Sequence, residues 1–380
     1  MQRGRERAAT ADALVVGTID GGGTGAELIG CVKRVLAALT DATGQRFEVV
    51  DFDNARWADQ FDEELYEPDL HRDLLDFYDA LCAQRGVIVR GSLPAPVLYR
   101  LRRDVGQALK WVPLNPFPAI SRHPEFRVQL VRESIQGLYH PDEVRREGGL
   151  VRAQHTWSES TLRFVAQEAF RLASRGESPR RVTTVLKTSV LGEIGELWLG
   201  AFGDEARRHP DVRLAHRPSG AGFSDMWLAP REFGVVATDD QSGDILADLV
   251  PTILYDSRNL VAAGNLSPAG HASFQTDHGT IKPLVGKDAV NPVAMLGALA
   301  MALDHGLPGR GLGAAVTGAI EEVLVAGLRT QDFYSGPPQR LVGTREMTDH
   351  ILERLAVHLD RGTVVIPPPS DCDGPIEASA

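Results

Sequence analysis

Two aspartates in the second half of the chain, Asp244 and Asp248, have the spacing of a metal site. They stand four residues apart in the segment 242–248, so their carboxylates share one face if the segment is helical. Carboxylate oxygens are the ligands that hard cations such as Mg²⁺ and Mn²⁺ prefer. Helix capping or a solvated surface would explain either aspartate alone, whereas the pair favours a metal site.

Lysine is rare in this chain, which draws attention to the position of each one. Nearly all basic residues are arginines, and the only lysines are Lys33, Lys110, Lys187, Lys282 and Lys287. A lysine can act as a general base where burial or a neighbouring cation lowers its pKa. Lys187 follows the β-branched run 182–186, and we expect it at the end of a buried strand. A lysine exposed at a strand end is the alternative.

A glycine-rich turn, Gly21–Gly25, follows the apolar run 14–19 and precedes a predicted helix over 26–39. A dinucleotide fingerprint would need an acid roughly 20 residues beyond the glycines. Asp51 and Asp53 come too late to fit well. We therefore favour a tight connection between strand and helix.

The elements that position these residues alternate between strands and helices. The sequence predicts strands over 47–50, 86–89, 127–131, 182–186 and 233–238. It predicts helices over 68–84, from Ser158 or Ser160 to Arg175, and from Asn291-Pro292 onward, where 293–303 is apolar on all sides. Such alternation indicates an α/β fold with a largely parallel sheet covered on both faces.

Composition excludes several classes of protein. With 380 residues, 43% hydrophobic and 24% charged, the chain is typical of globular proteins and is long enough for two domains. The net charge of −11 disfavours binding to nucleic acid or anionic membranes. The three separated cysteines indicate neither a disulfide framework nor a zinc site. No apolar stretch reaches the ~18 residues of a transmembrane helix. The N-terminus lacks the apolar segment of a secretory signal, so we expect a cytoplasmic protein.

Four segments, in order, resemble the β-decarboxylating dehydrogenases that act on isocitrate, isopropylmalate, homoisocitrate and tartrate or D-malate. Residues 131–139 (VRESIQGLY) are similar to the family's RENTEGLY segment, and 182–191 to its lysine strand. Residues 242–248 (SGDILAD) resemble its GDILSD metal helix. Residues 278–292 resemble its HGSAPDIAGKGIANP nucleotide loop with the same internal spacing. The glycine turn then reads as a variant of the family's GDGIG turn.

The resemblance implies oxidation of a 2-hydroxy acid followed by loss of CO₂. It implies that Lys187 is the general base and that Tyr139 is the acid that protonates the enolate. Arg132, and Arg102 in a segment similar to the family's LRK, would bind substrate carboxylates. Asp244 and Asp248 would hold Mg²⁺ or Mn²⁺.

For the cofactor, the resemblance implies NAD or NADP. His278, Gly279 and Thr280 would hold the adenosine half, and Asn291 would read the adenine edge. Pro283 stands where the family usually carries an acid for NAD or a lysine for NADP. Residue 283 therefore does not distinguish between the two nucleotides. Asp332 is similar to an acid of the NAD-linked branch, and we lean slightly towards NAD.

Three departures from the family lie in the predicted active site. Gly220 stands at the position of the third metal carboxylate, which the partner subunit supplies, and Asp225 is the nearest acid. Val112 replaces the second substrate arginine, so one carboxylate-binding arginine is missing unless Arg100 or Arg103 takes its place. Pro96 and Leu98 correspond roughly to the positions that bind the third carboxylate of isocitrate. We therefore expect a substrate other than isocitrate.

The implied fold has three α/β/α layers, two domains with the active site in the cleft between them, and a large mixed sheet. Residues 12–106 plus 254–366 would form the large, nucleotide-side domain, and 107–253 the small domain with the dimer interface. Residues 1–11 and 367–380 would be flexible tails. A homodimer is expected, with Lys187 supplied to the neighbouring subunit's site.

We expect an NAD(P)-dependent, metal-assisted dehydrogenase for a malate-type 2-hydroxy acid, with decarboxylation, in a specialised biosynthetic step. The departures leave two alternatives open. One is a catalytically silent binding or regulatory member of the fold, and the other is a dehydrogenase that does not decarboxylate.

Overall fold

The computed structural model describes residues 13–63, 65–175, 180–257, 259–333 and 339–360. The two predicted tails and Cys372 lie outside these ranges. Within them, the strands are β1 (Leu14–Ile19), β2 (Phe47–Asp51), β3 (Val87–Arg90), β4 (Leu109–Pro113), β5 (Gln129–Glu133), β6 (Glu143–Glu147), β7 (Leu150–Gln154), β8 (Arg181–Val185), β9 (Arg213–Arg217), β10 (Val235–Thr238), β11 (Ala262–Leu266), β12 (Ala272–Thr276), β13 (Leu328–Arg329) and β14 (Arg340–Leu341).

Helices lie between most of these strands. The α-helices of the same residues are α1 (Gly25–Thr43), α2 (Asn54–Trp57), α3 (Pro68–Ala83), α4 (Ala95–Asp104), α5 (Glu159–Arg175), α6 (Thr188–Leu191), α7 (Glu193–Arg208), α8 (Ser219–Leu228), α9 (Asp240–Tyr255), α10 (Val293–Gly306), α11 (Leu312–Val325) and α12 (Thr344–Asp360). Of the described helices, none combines the length and apolar character needed to cross a membrane.

Ten strands form one sheet in the order β2-β1-β3-β12-β11-β4-β5-β10-β8-β9. The pairs β12–β11, β11–β4 and β4–β5 are antiparallel, whereas the strands on both sides of this block are parallel. The predicted large mixed sheet is therefore confirmed. Strand β4 of the predicted small domain pairs with β11 of the predicted large domain, so the sheet continues across the proposed boundary.

The apolar core explains why the buried elements form where they do. Strands β1, β3, β10 and β11 are buried along their whole length, as the continuous apolar runs of a sheet covered on both faces require. Helix α10 is buried on nearly every side, as its sequence predicts. This helix begins at Val293, one residue later than expected, and the Asn291 side chain accepts a hydrogen bond from the Val293 N–H at 2.9 Å.

The parallel strands bring several polar residues to one edge of the sheet. Strands β5 and β10, which are parallel neighbours, end near Arg132 and Thr238, and helix α9 starts two residues after β10. The carboxyl ends of such strands are where α/β proteins usually bind ligands. The antiparallel pairing then places Lys110 of β4 directly opposite Arg132 of β5.

Candidate active site

Arg132, at the end of β5, is fully buried and bonded to two carboxylates. Its Nε donates to Asp240 Oδ1 and its Nη1 to Asp244 Oδ1, each at 2.6 Å. Burial by itself lowers the pKa of Arg132, but Asp240 and Asp244 outweigh that effect and hold the pKa above its usual value. Strand β5 and the first turn of α9 are thus joined by one guanidinium.

Arg102, on α4, is equally buried but has no such partner. Among the described residues, no carboxylate lies within ion-pairing distance of its guanidinium, and its Nε has no hydrogen-bond partner. The guanidinium lies 5.4 Å from the centre of the Tyr99 ring. Burial, followed by the charges of Arg132 and Arg90, lowers its pKa to about 10. A buried cation without a counter-ion is costly, so this position is suited to an anionic ligand.

A cavity of about 280 Å³ opens at these side chains, and we call it the arginine cavity. Six of the eleven predicted site residues border it: Arg102, Arg132, Asp244, Asp248, His278 and Gly279. Leu93, Ala95 and Leu98 form an apolar part of its wall. The cavity therefore combines cations for an acid, carboxylates for a metal, and the start of the predicted nucleotide loop.

Asp244 and Asp248 lie one turn apart on α9, and both border the arginine cavity. Asp248 is exposed and Asp244 partly so, an arrangement that leaves room for the waters that Mg²⁺ retains. Across the described part of the chain, no cluster of three His, Cys, Asp or Glu side chains could hold a metal. Gly220 lies in the first turn of α8, and nearby Asp225 is 3.7 Å from Arg217. One chain thus offers two carboxylates that fit a hard cation.

Lys187 does not border the arginine cavity of its own chain. It is exposed between β8 and α6, on a second cavity of about 340 Å³ that Trp157, Trp198 and Glu133 also line. We call this the lysine cavity. Asp240 borders it while bonded to Arg132, so the Asp240–Arg132 pair separates the two cavities.

Tyr139 is half-buried beside the arginine cavity. Its ring lies 5.9 Å from that of Tyr99, which borders the cavity, in an edge-to-face arrangement. Burial, followed by the negative charge of Asp244, raises the pKa of Tyr139. The phenol is therefore protonated at neutral pH, as a proton donor must be.

The predicted nucleotide loop packs against the glycine turn. Gly23 has a φ of 61°, and a side chain there would come within 2.8 Å of Thr280 Cβ. Asp62 links the two segments, because it accepts from the Gly23 N–H at 3.1 Å and its carbonyl accepts from Lys282 Nζ at 2.9 Å. The contact explains why glycine is needed at position 23.

Asn291 and Asp332 fix the far end of that loop. Asp332 Oδ2 accepts from the Asn291 N–H at 3.2 Å, and its Oδ1 accepts from the Thr330 hydroxyl at 2.8 Å. The Nδ2 of Asn291 is buried and has no hydrogen-bond partner. An unpaired amide donor of this kind suits a ligand with an acceptor nitrogen or oxygen. The binding roles of both residues stay predictions.

Among the polar residues in or next to the wall of the arginine cavity, the sequence assigned no role to Tyr99, Lys110, Asp240 and Asp277. The rarity of lysine singled out Lys110, and strand alternation places it on the same face of β4 as Val112. Nothing local in the sequence pairs Lys110 with Asp277, because the bond between them joins β4 to the segment after β12.

Comparisons with known proteins bear on the family and on the fold of this chain. A family model described as isocitrate/isopropylmalate dehydrogenase matches residues 15–351. A 3-isopropylmalate dehydrogenase from Frankia casuarinae is 30% identical, covering 89% of this chain and 98% of its own. One from Neisseria meningitidis serogroup B is 28% identical, covering 74% and 85%. The structure resembles that of isocitrate dehydrogenase from Methylococcus capsulatus, with a TM-score of 0.73, 24% identity, and coverage of 90% of this chain and 99% of that one.

Proposed function

Since the chain belongs to the isocitrate/isopropylmalate dehydrogenase family, we propose that it catalyses NAD(P)-dependent, metal-assisted oxidation of a malate-type 2-hydroxy acid, with decarboxylation. The observation that best supports this proposal is the environment of Arg102. Its guanidinium is buried in the arginine cavity, no described carboxylate pairs with it, and Asp244 and Asp248 lie across the same cavity. A 2-hydroxy diacid fits these groups. One carboxylate can bind Arg102, while the hydroxyl and the other carboxylate bind a metal held by Asp244 and Asp248.

Each predicted site residue has a separate role in the proposed reaction, according to its place at the arginine cavity. Arg102 and Arg132 orient the acid, and Asp244 and Asp248 hold the divalent cation, which when bound polarises the substrate hydroxyl. Tyr139 holds its phenolic proton beside the cavity and delivers it to the carbon that loses CO₂. Leu93, Ala95 and Leu98 make one wall apolar, so isocitrate, with a third carboxylate, is disfavoured.

The base, Lys187, acts in the neighbouring subunit. Lys187 lies outside its own chain's arginine cavity, and a homodimer that apposes the two cavities supplies the missing base. The exposed hairpin β6–β7, which carries Val144, Leu150 and Val151 on its surface, is available to the same interface. We propose a cytoplasmic homodimer.

For the cofactor we propose NAD, with NADP as the alternative. His278 and Gly279 border the arginine cavity, which supports a nucleotide that binds beside the substrate. Asn291 offers its unpaired Nδ2 to the adenine. Pro283 lies in a 3₁₀ turn and provides neither the acid nor the lysine that would discriminate between the two nucleotides.

Calorimetric titration with NADH and, separately, NADPH tests the proposal first. Micromolar binding of one nucleotide supports it. A screen of 2-hydroxy diacids with Mn²⁺, including malate, tartrate, 3-isopropylmalate and isocitrate, then identifies the substrate. Release of CO₂ separates oxidative decarboxylation from simple oxidation. If neither nucleotide binds in the presence of metal, the dehydrogenase proposal is wrong.

A catalytically silent binding member of the fold is the second candidate. The two-carboxylate metal site and the loss of an arginine at Val112 favour it. A Mn²⁺ titration at millimolar or lower concentration that depends on Asp244 would count against it, because a silent protein has no need of the metal.

A further inference from the structure

Lys110 and Asp277 form a buried ion pair on the wall of the arginine cavity. Their side chains are 6% and 4% exposed, and Lys110 Nζ donates to Asp277 Oδ1. Both residues border the cavity together with Arg102 and Arg132. A buried pair is weak evidence of stabilisation, because the cost of desolvation offsets the attraction between the charges. Its position therefore calls for a functional explanation.

Lys110 retains donors that its partner does not use. An ammonium group has three N–H donors. Within the described residues, Asp277 is the one hydrogen-bond acceptor of Nζ. Arg132, directly opposite on β5, is already bonded to Asp240 and Asp244. Among the described residues, Arg132 pairs with two carboxylates, Lys110 with one and Arg102 with none, so Arg102 and Lys110 are the less neutralised of the three cations that border the cavity.

Lys110 lies on β4 two residues before Val112, the position at which the family carries its second substrate arginine. Residues 110 and 112 point to the same face of the strand, and Val112 is completely buried in the core. The Lys110 side chain therefore borders the cavity on the face of β4 to which residue 112 also points. Burial lowers the pKa of Lys110, and the negative charge of Asp277 opposes that effect.

We propose that Lys110, held by Asp277, acts with Arg102 as the second cation that binds the substrate's distal carboxylate, the one lost as CO₂. This inference rests on the proposed function and assigns it a specificity-determining residue. The substrate is then a 2-hydroxy diacid, and its monoacid analogue lacks the group that Lys110 binds.

Binding of malate and lactate tests the inference, because lactate is malate without the distal carboxylate. Calorimetry with NADH and Mn²⁺ present measures both in the unaltered protein, in Lys110→Met/Asp277→Leu and in Lys110→Arg. The double substitution removes both charges together and leaves no buried ion unpaired, so we expect it to fold. We expect malate binding to weaken about tenfold or more in the double variant, as for loss of a hydrogen bond to a charged group, with lactate binding unchanged. Lys110→Arg should retain most of the malate affinity.

A purely structural pair would give a different result, with malate and lactate weakened equally or not at all. Either of those outcomes overturns the inference. The exposed Lys33, paired with Asp51 at 2.8 Å, provides the control Lys33→Met, which should change neither ligand. If the unaltered protein binds no malate, the proposed function fails and the inference with it. If the unaltered protein binds malate and the double variant binds it equally well, the inference alone fails.

Discussion

The arginine cavity and the lysine cavity lie on opposite sides of the Asp240–Arg132 ion pair and are complementary. The first has Arg102, Lys110 and the carboxylates of α9, and Lys187 does not border it. The second has Lys187 beside Trp157 and Trp198, and none of the three arginine-cavity cations borders it. Under the proposed function the two cavities are halves of different active sites, and the proposed homodimer would bring Lys187 of one chain to the arginine cavity of the other.

Loss of Lys187 should have the largest effect. We expect Lys187→Met to lower kcat about 10³-fold with little change in KM, because general-base catalysis contributes about 10²–10⁴-fold. The control is Lys33→Met, at a lysine outside both cavities that pairs with Asp51. Steady-state kinetics on the substrate found in the diacid screen measures both.

Mixing variants tests whether the two cavities act across subunits. In a heterodimer of Lys187→Met and Arg102→Met chains, one site has an intact Arg102 and an intact Lys187. After dissociation and random reassociation, about a quarter of the unaltered activity should return, since half the dimers are mixed and each has one complete site. No recovery despite proven exchange of subunits would show that each chain's site is complete by itself.

Arg102 and Arg132 should differ in what their loss does to stability. Arg102→Met should lower kcat/KM about 10²-fold or more while leaving the melting temperature unchanged or raised, because it removes a buried cation without a partner. Arg132→Met should destabilise by about 3–5 kcal/mol, because it removes the guanidinium from the buried Asp240 and leaves the His140 imidazole, 3.4 Å away, as its ion-pair partner. Kinetics and thermal unfolding on the same samples separate the two. A large loss of stability in Arg102→Met would mean that its guanidinium has a structural partner.

Several elements of the fold could be predicted from local patterns, whereas β4, β11 and β12 and the division between cavities could not. Apolar runs predict β1 and β3, and the all-apolar stretch predicts α10, because burial leaves a local signature. Asp244 and Asp248 could be placed on one helix face by spacing alone. The pairing of Lys110 with Asp277 depends on β4 and β12 lying on either side of β11 in the sheet, and it joins residues 167 positions apart that no local pattern connects.

Gly220→Asp should make the metal site stronger. Gly220 lies in the first turn of α8, where an acid is favourable, and no atom lies within 4 Å of a side-chain Cβ built there. If a third carboxylate reaches the partner's Asp244 and Asp248, half-maximal activity should need about tenfold less Mn²⁺, as for one added charged ligand. Gly200→Asp, on α7 with equally open space, is the control. An unchanged Mn²⁺ requirement would place Gly220 away from the metal.

The smallest effect concerns Glu133, which lines the lysine cavity. Burial, and to a lesser degree Asp240, raises its pKa to about 8 from 4.5, although the Ile135 N–H and the Gln136 side chain oppose the shift. Between these two pKa values the folded state holds a proton that the unfolded state releases, so this group makes the protein less stable as pH rises through that window. Glu133→Gln removes the titration, and the fall in melting temperature from about pH 6 to about pH 9 should become smaller by several degrees. The exposed Glu196→Gln should leave the fall as it is. An identical fall in Glu133→Gln would mean that Glu133 is ionised in the folded protein, and that a cation from the second chain reaches it in the lysine cavity.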